Sequence, residues 1–184
     1  GSGDTITVNA DAMADNTTLD INGSATYTVS NLEADTNAAD TSAAVSLAYT
    51  NVSGNAASIT TGTAATTVSG TTSGDTLTIN AGSLAQNTTL TESGAAQQVV
   101  TGLVGDISAT ALTGTLGVTT GDAVDNGISI TTGTANTTIT ASGIGDTITV
   151  NADAMADNTT LDINGSATYT VSNLEADTNA ADTS

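Results

Sequence analysis

The sequence predicts an all-β fold, a parallel β-solenoid built from tandem repeats, and three observations support this. Residues 3–42 and 145–184 are the same forty-residue string, and a weaker copy begins midway between them at Gly74, which defines a 71-residue period. Short segments of alternating β-branched residues recur within each period. Aromatic side chains are scarce: the 184 residues include three Tyr and neither Phe nor Trp. A narrow tube of stacked Val, Ile and Leu needs no aromatic core.

The repeats divide the chain into segments. Residues 3–73 and 74–144 are two different versions of the 71-residue unit, and residues 145–184 are a partial third unit identical to the start of the first. Gly1-Ser2 matches neither internal equivalent, and we interpret it as a cloning scar. We expect one continuous solenoid, because units of this kind are stabilised mainly by their neighbours.

Strands are predicted wherever apolar and β-branched residues alternate with polar ones. In the first unit these segments are 5–8, 18–21, 26–29, 45–47, 57–59 and 66–68, and in the second they are 77–79, 99–100, 116–118, 128–130 and 138–139. Asn-Gly, Ser-Gly and Thr-Gly pairs between them are turn formers.

About six strands per unit fit more than one architecture. In a solenoid, a unit forms either three coils of about 24 residues with two strands each, or two coils of about 35 residues with three strands each. In the alternative architecture, each unit is a separate small β-sandwich of the Ig type. The scarcity of large side chains favours the solenoid.

The composition excludes several functions. The chain has no Lys, Arg or His and 19 Asp and Glu, a net charge of −19. Nucleic acid is excluded as a partner, because no side chain neutralises phosphates. The apolar stretches are far shorter than the roughly 20 residues of a membrane-spanning helix, so membrane insertion is not expected. Because the chain has no His, Cys, Lys or Arg, carboxylates are the main groups left for acid–base catalysis, and we do not expect enzymatic activity.

Segments 62–81 and 133–152, GTAATTVSGTTSGDTLTINA and GTANTTITASGIGDTITVNA, resemble the Thr/Gly/Asp-rich repeats of giant secreted bacterial surface proteins, the adhesins that carry RTX-type segments. The resemblance implies an extracellular or cell-surface location, export by type I secretion, growth by tandem duplication and folding assisted by calcium. The chain departs from the RTX pattern because it lacks the GGxGxDxUx nonapeptide. Any calcium sites are therefore expected to be sparser and differently built.

Aspartates kept in every unit are candidate Ca²⁺ ligands, because calcium prefers carboxylate and carbonyl oxygens. They are Asp4, Asp75 and Asp146, in Gly-Asp-Thr turns, and Asp35, Asp106 and Asp177; Asp122, Asp125 and Asn126 form a further cluster. Equivalent aspartates of successive units are expected two or three coils apart, roughly 10–15 Å. The alternative is that they are solvated turn residues that keep the protein soluble.

The expected function is structural: a stalk or spacer, or a sheath or matrix element, of a long extracellular bacterial adhesin-like protein. Its partners are neighbouring repeats of the same chain, and any cell-surface or glycan target lies elsewhere in the parent protein. End-to-end self-association is predicted, because Pro and Lys, which commonly protect strand edges, are absent.

The alternative function is a binding module whose solenoid face contacts glycan, cells or ice. Thr-x-Thr pairs occur along the chain, at 5/7, 26/28, 76/78, 138/140 and 147/149. Their spacing is uneven, which favours half-buried strand threonines over an ice-binding face.

Overall fold

The structure, a computed structural model, describes residues 1–14, 17–121, 127–143, 145–174 and 177–179, without the side chains of residues 53 and 177–179. The described residues form eighteen β-strands and one 3₁₀ turn, Ser53–Asn55. The all-β prediction is confirmed. No helix among the described residues has the length and apolar character needed to cross a bilayer.

The strands form two nine-stranded sheets, which we call the odd sheet and the even sheet after the strand numbers. The odd sheet comprises β1 (Thr5–Asn9), β3 (Thr26–Leu32), β5 (Val45–Tyr49), β7 (Thr66–Gly70), β9 (Thr89–Gly94), β11 (Asp106–Leu112), β13 (Ile128–Thr131), β15 (Thr147–Asn151) and β17 (Thr168–Ser172). The even sheet comprises β2 (Thr18–Asp20), β4 (Asp35–Asn37), β6 (Ala56–Thr60), β8 (Thr76–Asn80), β10 (Gln97–Leu103), β12 (Leu116–Thr120), β14 (Thr137–Thr140), β16 (Thr160–Asn164) and β18 (Asp177–Asn179).

Successive strands alternate between the two sheets, and every strand pairing in the described residues is parallel. This is a parallel β-solenoid of about eight coils, as predicted, and each coil contains two strands. The alternative of separate Ig-like sandwiches is wrong, because those are built from antiparallel strands. The coils differ in length: the coil that joins the paired residues Thr18 and Asp35 is among the shortest, and the one that joins Thr66 and Leu90 is among the longest. The turns absorb most of this variation, and three strand pairs, β3–β5, β9–β11 and β10–β12, also contain a register shift.

One 71-residue unit contains seven strands, not the six predicted. Thr5 is the first residue of β1, and the equivalent residues of the next two units, Thr76 and Thr147, are the first residues of β8 and β15. With two strands per coil, a unit makes three and a half coils, so both predicted coil counts are wrong. Equivalent strands of successive units therefore lie on opposite sheets, related by a half-turn about the solenoid axis. Two units together make seven coils, so a strand and its equivalent two units later lie in the same sheet.

Both sheets continue through the boundaries between units. Across the 73/74 boundary, β6 pairs with β8 and β7 pairs with β9. Across the 144/145 boundary, β13 pairs with β15 and β14 pairs with β16. The same parallel hydrogen-bonded ladder thus joins residues within a unit and residues of different units.

The core is a thin double layer of aliphatic side chains. In the odd sheet Val29, Leu47 and Val68 lie in register on successive strands, and each is at most 1 % exposed. Their spacing of about 4.8 Å brings each apolar side chain into contact with the one on the next strand. Most of the core therefore consists of apolar columns that run along the axis, although some buried positions are polar.

The missed seventh strand is the one whose sequence is polar. In the first unit it is β4, Asp-Thr-Asn, whose inward residue Thr36 is 2 % exposed. The hydroxyl of the buried Tyr49 donates a 2.7 Å hydrogen bond to Thr36 Oγ1. A polar pair thus occupies a core position where alternation predicts an aliphatic residue. The equivalent strand β11 of the second unit and its β9 were missed as well.

Candidate functional site: the acidic side chains

Asp35 and Asp106 occupy the same position in their units and make the same contact. Asp35 begins β4, and its Oδ1 accepts a 2.7 Å hydrogen bond from the backbone N–H of Ser58 in the next coil. Asp106 begins β11, and its Oδ1 accepts a 2.8 Å bond from the N–H of Ser129. Each aspartate therefore extends the strand ladder by one side-chain bond. The side chain of Asp177, which begins β18, lies outside the described residues.

The Gly-Asp-Thr aspartates differ from one another in burial. Asp75 is 4 % exposed, and its Oδ2 accepts a 2.9 Å bond from the N–H of Val52. Asp146 is 8 % exposed; the position equivalent to Val52 is there residue 123, outside the described residues. The side chain of Asp4 is 70 % exposed and forms a 2.8 Å ion pair with the amino group of Gly1.

The main-chain carbonyls of these three aspartates all accept a bond from the next coil. The donors to Asp4, Asp75 and Asp146 are the N–H groups of Thr26, Gln97 and Thr168, at 2.8–2.9 Å. The Gly-Asp-Thr turn is thus a fixed element of the ladder in each of the three copies. Its carbonyl oxygens are already used once in coil stacking.

Among the described residues, the structure does not bring the candidate calcium ligands together. In the described part of the chain no three Asp or Glu side chains are close enough to hold one metal ion. Because equivalent residues alternate between sheets, Asp35 and Asp106 lie on opposite faces, and the expected separation of two or three coils is wrong. The cluster Asp122, Asp125 and Asn126 lies outside the described residues. Calcium binding at any of these positions stays a prediction.

The most unusual acidic residue, Glu92, was not identified from the sequence. Glu92 lies on β9, is 0 % exposed, and neither of its carboxylate oxygens has a hydrogen-bond partner in the described structure. Burial raises the pKa of the Glu92 carboxyl from 4.5 to about 8. Alignment of the units at the 71-residue period identifies Glu92 as unusual, because the equivalent residues are Ile21 and Ile163.

A shallow groove of about 310 Å³ passes the buried Asp75. Its lining includes Gly74, Gln97, Thr113 and Gly114. The single carboxylate in this lining is already bonded to Val52. Among the described residues that line the groove, Asp75 thus has no second carboxylate beside it.

No protein-family model, no curated protein and no solved structure matches the chain. The resemblance to RTX-type adhesin repeats accordingly stays a prediction.

Proposed function

We propose that this chain is a non-enzymatic, length-setting segment of a long extracellular bacterial adhesin-like protein. As a stalk or spacer, it holds a binding module away from the cell; the same rod also suits a sheath or matrix. The extracellular context comes from the resemblance of the repeats. The mechanical role comes from the fold.

The observation that carries the proposal is the continuity of both sheets across the unit boundaries. A flexible linker between globules bends freely, whereas a solenoid bends only by deforming a continuous ladder. Each added coil contributes about 4.8 Å of length and contacts only its neighbours. Length therefore scales with copy number without a new core for each copy.

The charge of the rod is consistent with this role. The chain carries −19 and no Lys, Arg or His. Rods of the same sign repel one another at distances within the Debye length, about 8 Å at physiological salt. Repulsion opposes lateral aggregation of long, β-rich molecules.

The test is a length series of chains that contain one, two and three 142-residue units. Each unit adds seven coils, so the maximum dimension measured by small-angle X-ray scattering is expected to rise by roughly 34 Å per unit. The cross-sectional radius is expected to stay constant. Smaller increments, or 71-residue protease-resistant globules, contradict the proposal.

A second candidate, a binding face, is supported by the outer surface of the odd sheet. Side chains there form one in-register column: Thr7, Thr28, Ser46, Thr67, Thr91, Ser108 and Thr131. The spacing is uneven along the sequence, but the turns absorb the differences. Seven consecutive strands of this sheet thus present a hydroxyl, an arrangement suited to a hydroxyl-rich surface such as glycan or ice.

Retention on glycan arrays and on ice distinguishes this candidate. Thr67→Lys and Thr91→Lys alter the column, whereas Thr78→Lys and Thr138→Lys alter the even sheet and serve as controls. Loss of retention only in the odd-sheet variants supports the binding face. If the unaltered chain is retained on neither glycan nor ice, the binding-face candidate is ruled out.

A further inference from the structure

We propose that Glu92 is a buried proton-binding site that makes the stability of the central coils depend on pH. The proposal goes beyond the spacer function and does not depend on it. β9, which carries Glu92, is the fifth of the nine strands of the odd sheet. A change there acts in the middle of the rod.

Glu92 occupies an apolar column. Val29, Leu47 and Val68 lie in register on successive strands, and Glu92 is the next residue of that column. The first version of the repeat places Ile21 at this position. The carboxyl is therefore placed where the repeat otherwise buries a branched aliphatic side chain.

A second polar replacement accompanies the first. Gln98 is 0 % exposed and lies in register between Leu77 and Leu116 of the even sheet. Its Nε2 donates a 3.0 Å bond to the carbonyl of Ser93, the residue after Glu92. The equivalent residues of the other version, Tyr27 and Tyr169, bond the carbonyls of Asn22 and Asn164 in the same way.

The count of donors and acceptors favours a protonated Glu92. Of the six buried side-chain oxygens without a hydrogen-bond partner in the described structure, three belong to Glu92 and Gln98: both carboxylate oxygens of Glu92 and the Oε1 of Gln98. An ionised carboxylate only accepts hydrogen bonds, so this state leaves three acceptors and no donor. Protonation converts one oxygen into a donor and removes a charge that the aliphatic core does not solvate.

No charged side chain on the strands packed against β9 faces Glu92. β7, β8 and β10 contain no acidic or basic residue, and the one acidic residue on β11 is Asp106, whose carboxylate accepts a bond from the N–H of Ser129. Asp75, just before β8, is bonded to Val52. The chain has no Lys, Arg or His to act as a counter-charge. Burial is accordingly the cause of the raised pKa.

The direction of the pH effect follows from linkage. The folded-state pKa of Glu92 is about 8, above the ordinary value of 4.5, so the folded state binds a proton that the unfolded chain releases. Stability is then fully present below pH 4.5 and decreases as the pH rises towards 8. One proton changes the folding equilibrium constant by at most about tenfold per pH unit.

Urea unfolding of the full chain, followed by circular dichroism between pH 5 and 9, tests the proposal. The midpoint of the unaltered chain is expected to fall with pH up to about 8 and then to level off. Glu92→Ile restores the residue of the other version, and Glu92→Gln keeps the shape while removing the titration. Both variants are expected to lose this slope.

Glu33→Gln is the matched control, because Glu33 is partly exposed and outside this column. It is expected to keep the slope of the unaltered chain. The proposal is overturned if the unaltered chain shows no slope, or if Glu92→Gln and Glu92→Ile keep it. Amide exchange of β7, β9 and β11 at pH 8.5 gives a second measurement: protection higher in Glu92→Ile supports the proposal, and equal protection contradicts it.

Discussion

At the scale of single residues, three of the six aspartates kept in every unit accept side-chain hydrogen bonds from the next or preceding coil. Asp35 accepts from Ser58, Asp106 accepts from Ser129, and Asp75 accepts from Val52. The recurrence of these aspartates therefore has a structural explanation that requires no bound ion.

Asp35→Ala is expected to lower the free energy of unfolding by about 1 kcal/mol, because the N–H of Ser58 loses its acceptor. Asp35→Asn keeps an acceptor oxygen and is expected to lose less. Urea unfolding with calcium and with EGTA measures both variants. Equal losses in the two solutions support the structural role, whereas a loss confined to calcium supports a metal site.

Gly94 occupies a position that only glycine fits. Its φ is +94°, and a Cβ there would overlap the carbonyl oxygen of the in-register Gly70. Gly94→Ala is expected to destabilise the protein by about 1–3 kcal/mol or more. Gly117→Ala on β12 is the control, because no atom lies within 4 Å of the added Cβ. Similar unfolding midpoints for the two variants would contradict this account.

At the scale of elements, the chain contains its own comparison of sequence with position. β1 and β15 have the same sequence, Thr-Ile-Thr-Val-Asn. Ile6 on β1 is 40 % exposed, whereas Ile148 on β15 is 0 % exposed. Among the described strands, β1 pairs only with β3, but β15 lies between β13 and β17. Neighbouring coils, and not the local sequence, bury the side chain.

The same substitution in these two identical strands should therefore have different effects. Ile148→Ala is expected to cost about 2–5 kcal/mol, the range for truncation of a buried Ile. Ile6→Ala is expected to cost less than about 1 kcal/mol, because Ile6 is already partly in water. Urea unfolding of both variants measures the difference. Equal costs would show that the two copies are packed alike.

The fold class could be predicted from the sequence because alternation and repetition report directly on strands and stacking. The number of strands could not, because β4 buries Thr36 against a tyrosine hydroxyl instead of an aliphatic chain. Because one strand of the seven in a unit was not predicted, the half-turn that relates successive units was not predicted either. The sheet to which a strand belongs depends on whether that count is odd or even.

The candidate site was only partly predictable. The aspartates that recur in register were found, but a carboxylate that bonds a main-chain N–H has the same sequence signature as a metal ligand. Glu92 was overlooked because it is a departure from the repeat and not a feature kept by it. Comparison of Glu92 with Ile21 across the 71-residue period identifies it as an acid in a core position.

At the scale of the whole molecule, the sheet edges of the described rod offer surfaces for association. Ile6 at one end and Leu174 near the other are the exposed large apolar residues, at 40 % and 38 %. A parallel strand edge pairs with another copy in the same direction, which gives an open head-to-tail chain. The net charge of −19 opposes this approach.

End-to-end association is expected to increase with salt, because ions screen the repulsion between copies. Sedimentation velocity at 0.05 M and 0.5 M NaCl measures it. Ile6→Asp is expected to reduce the association, and Thr67→Asp on the lateral surface is the matched control. Association that weakens with salt, or that Thr67→Asp abolishes equally, would argue against contact through the ends.

The odd strand count of the 71-residue unit gives copy number a directional meaning. Removal of one unit shortens the rod by roughly 17 Å and reverses the side on which every later residue is displayed. Removal of two units shortens it by roughly 34 Å and leaves that side unchanged. Gain or loss of the 142-residue period therefore changes reach alone, whereas gain or loss of half that period also changes which way the distal part of the protein points.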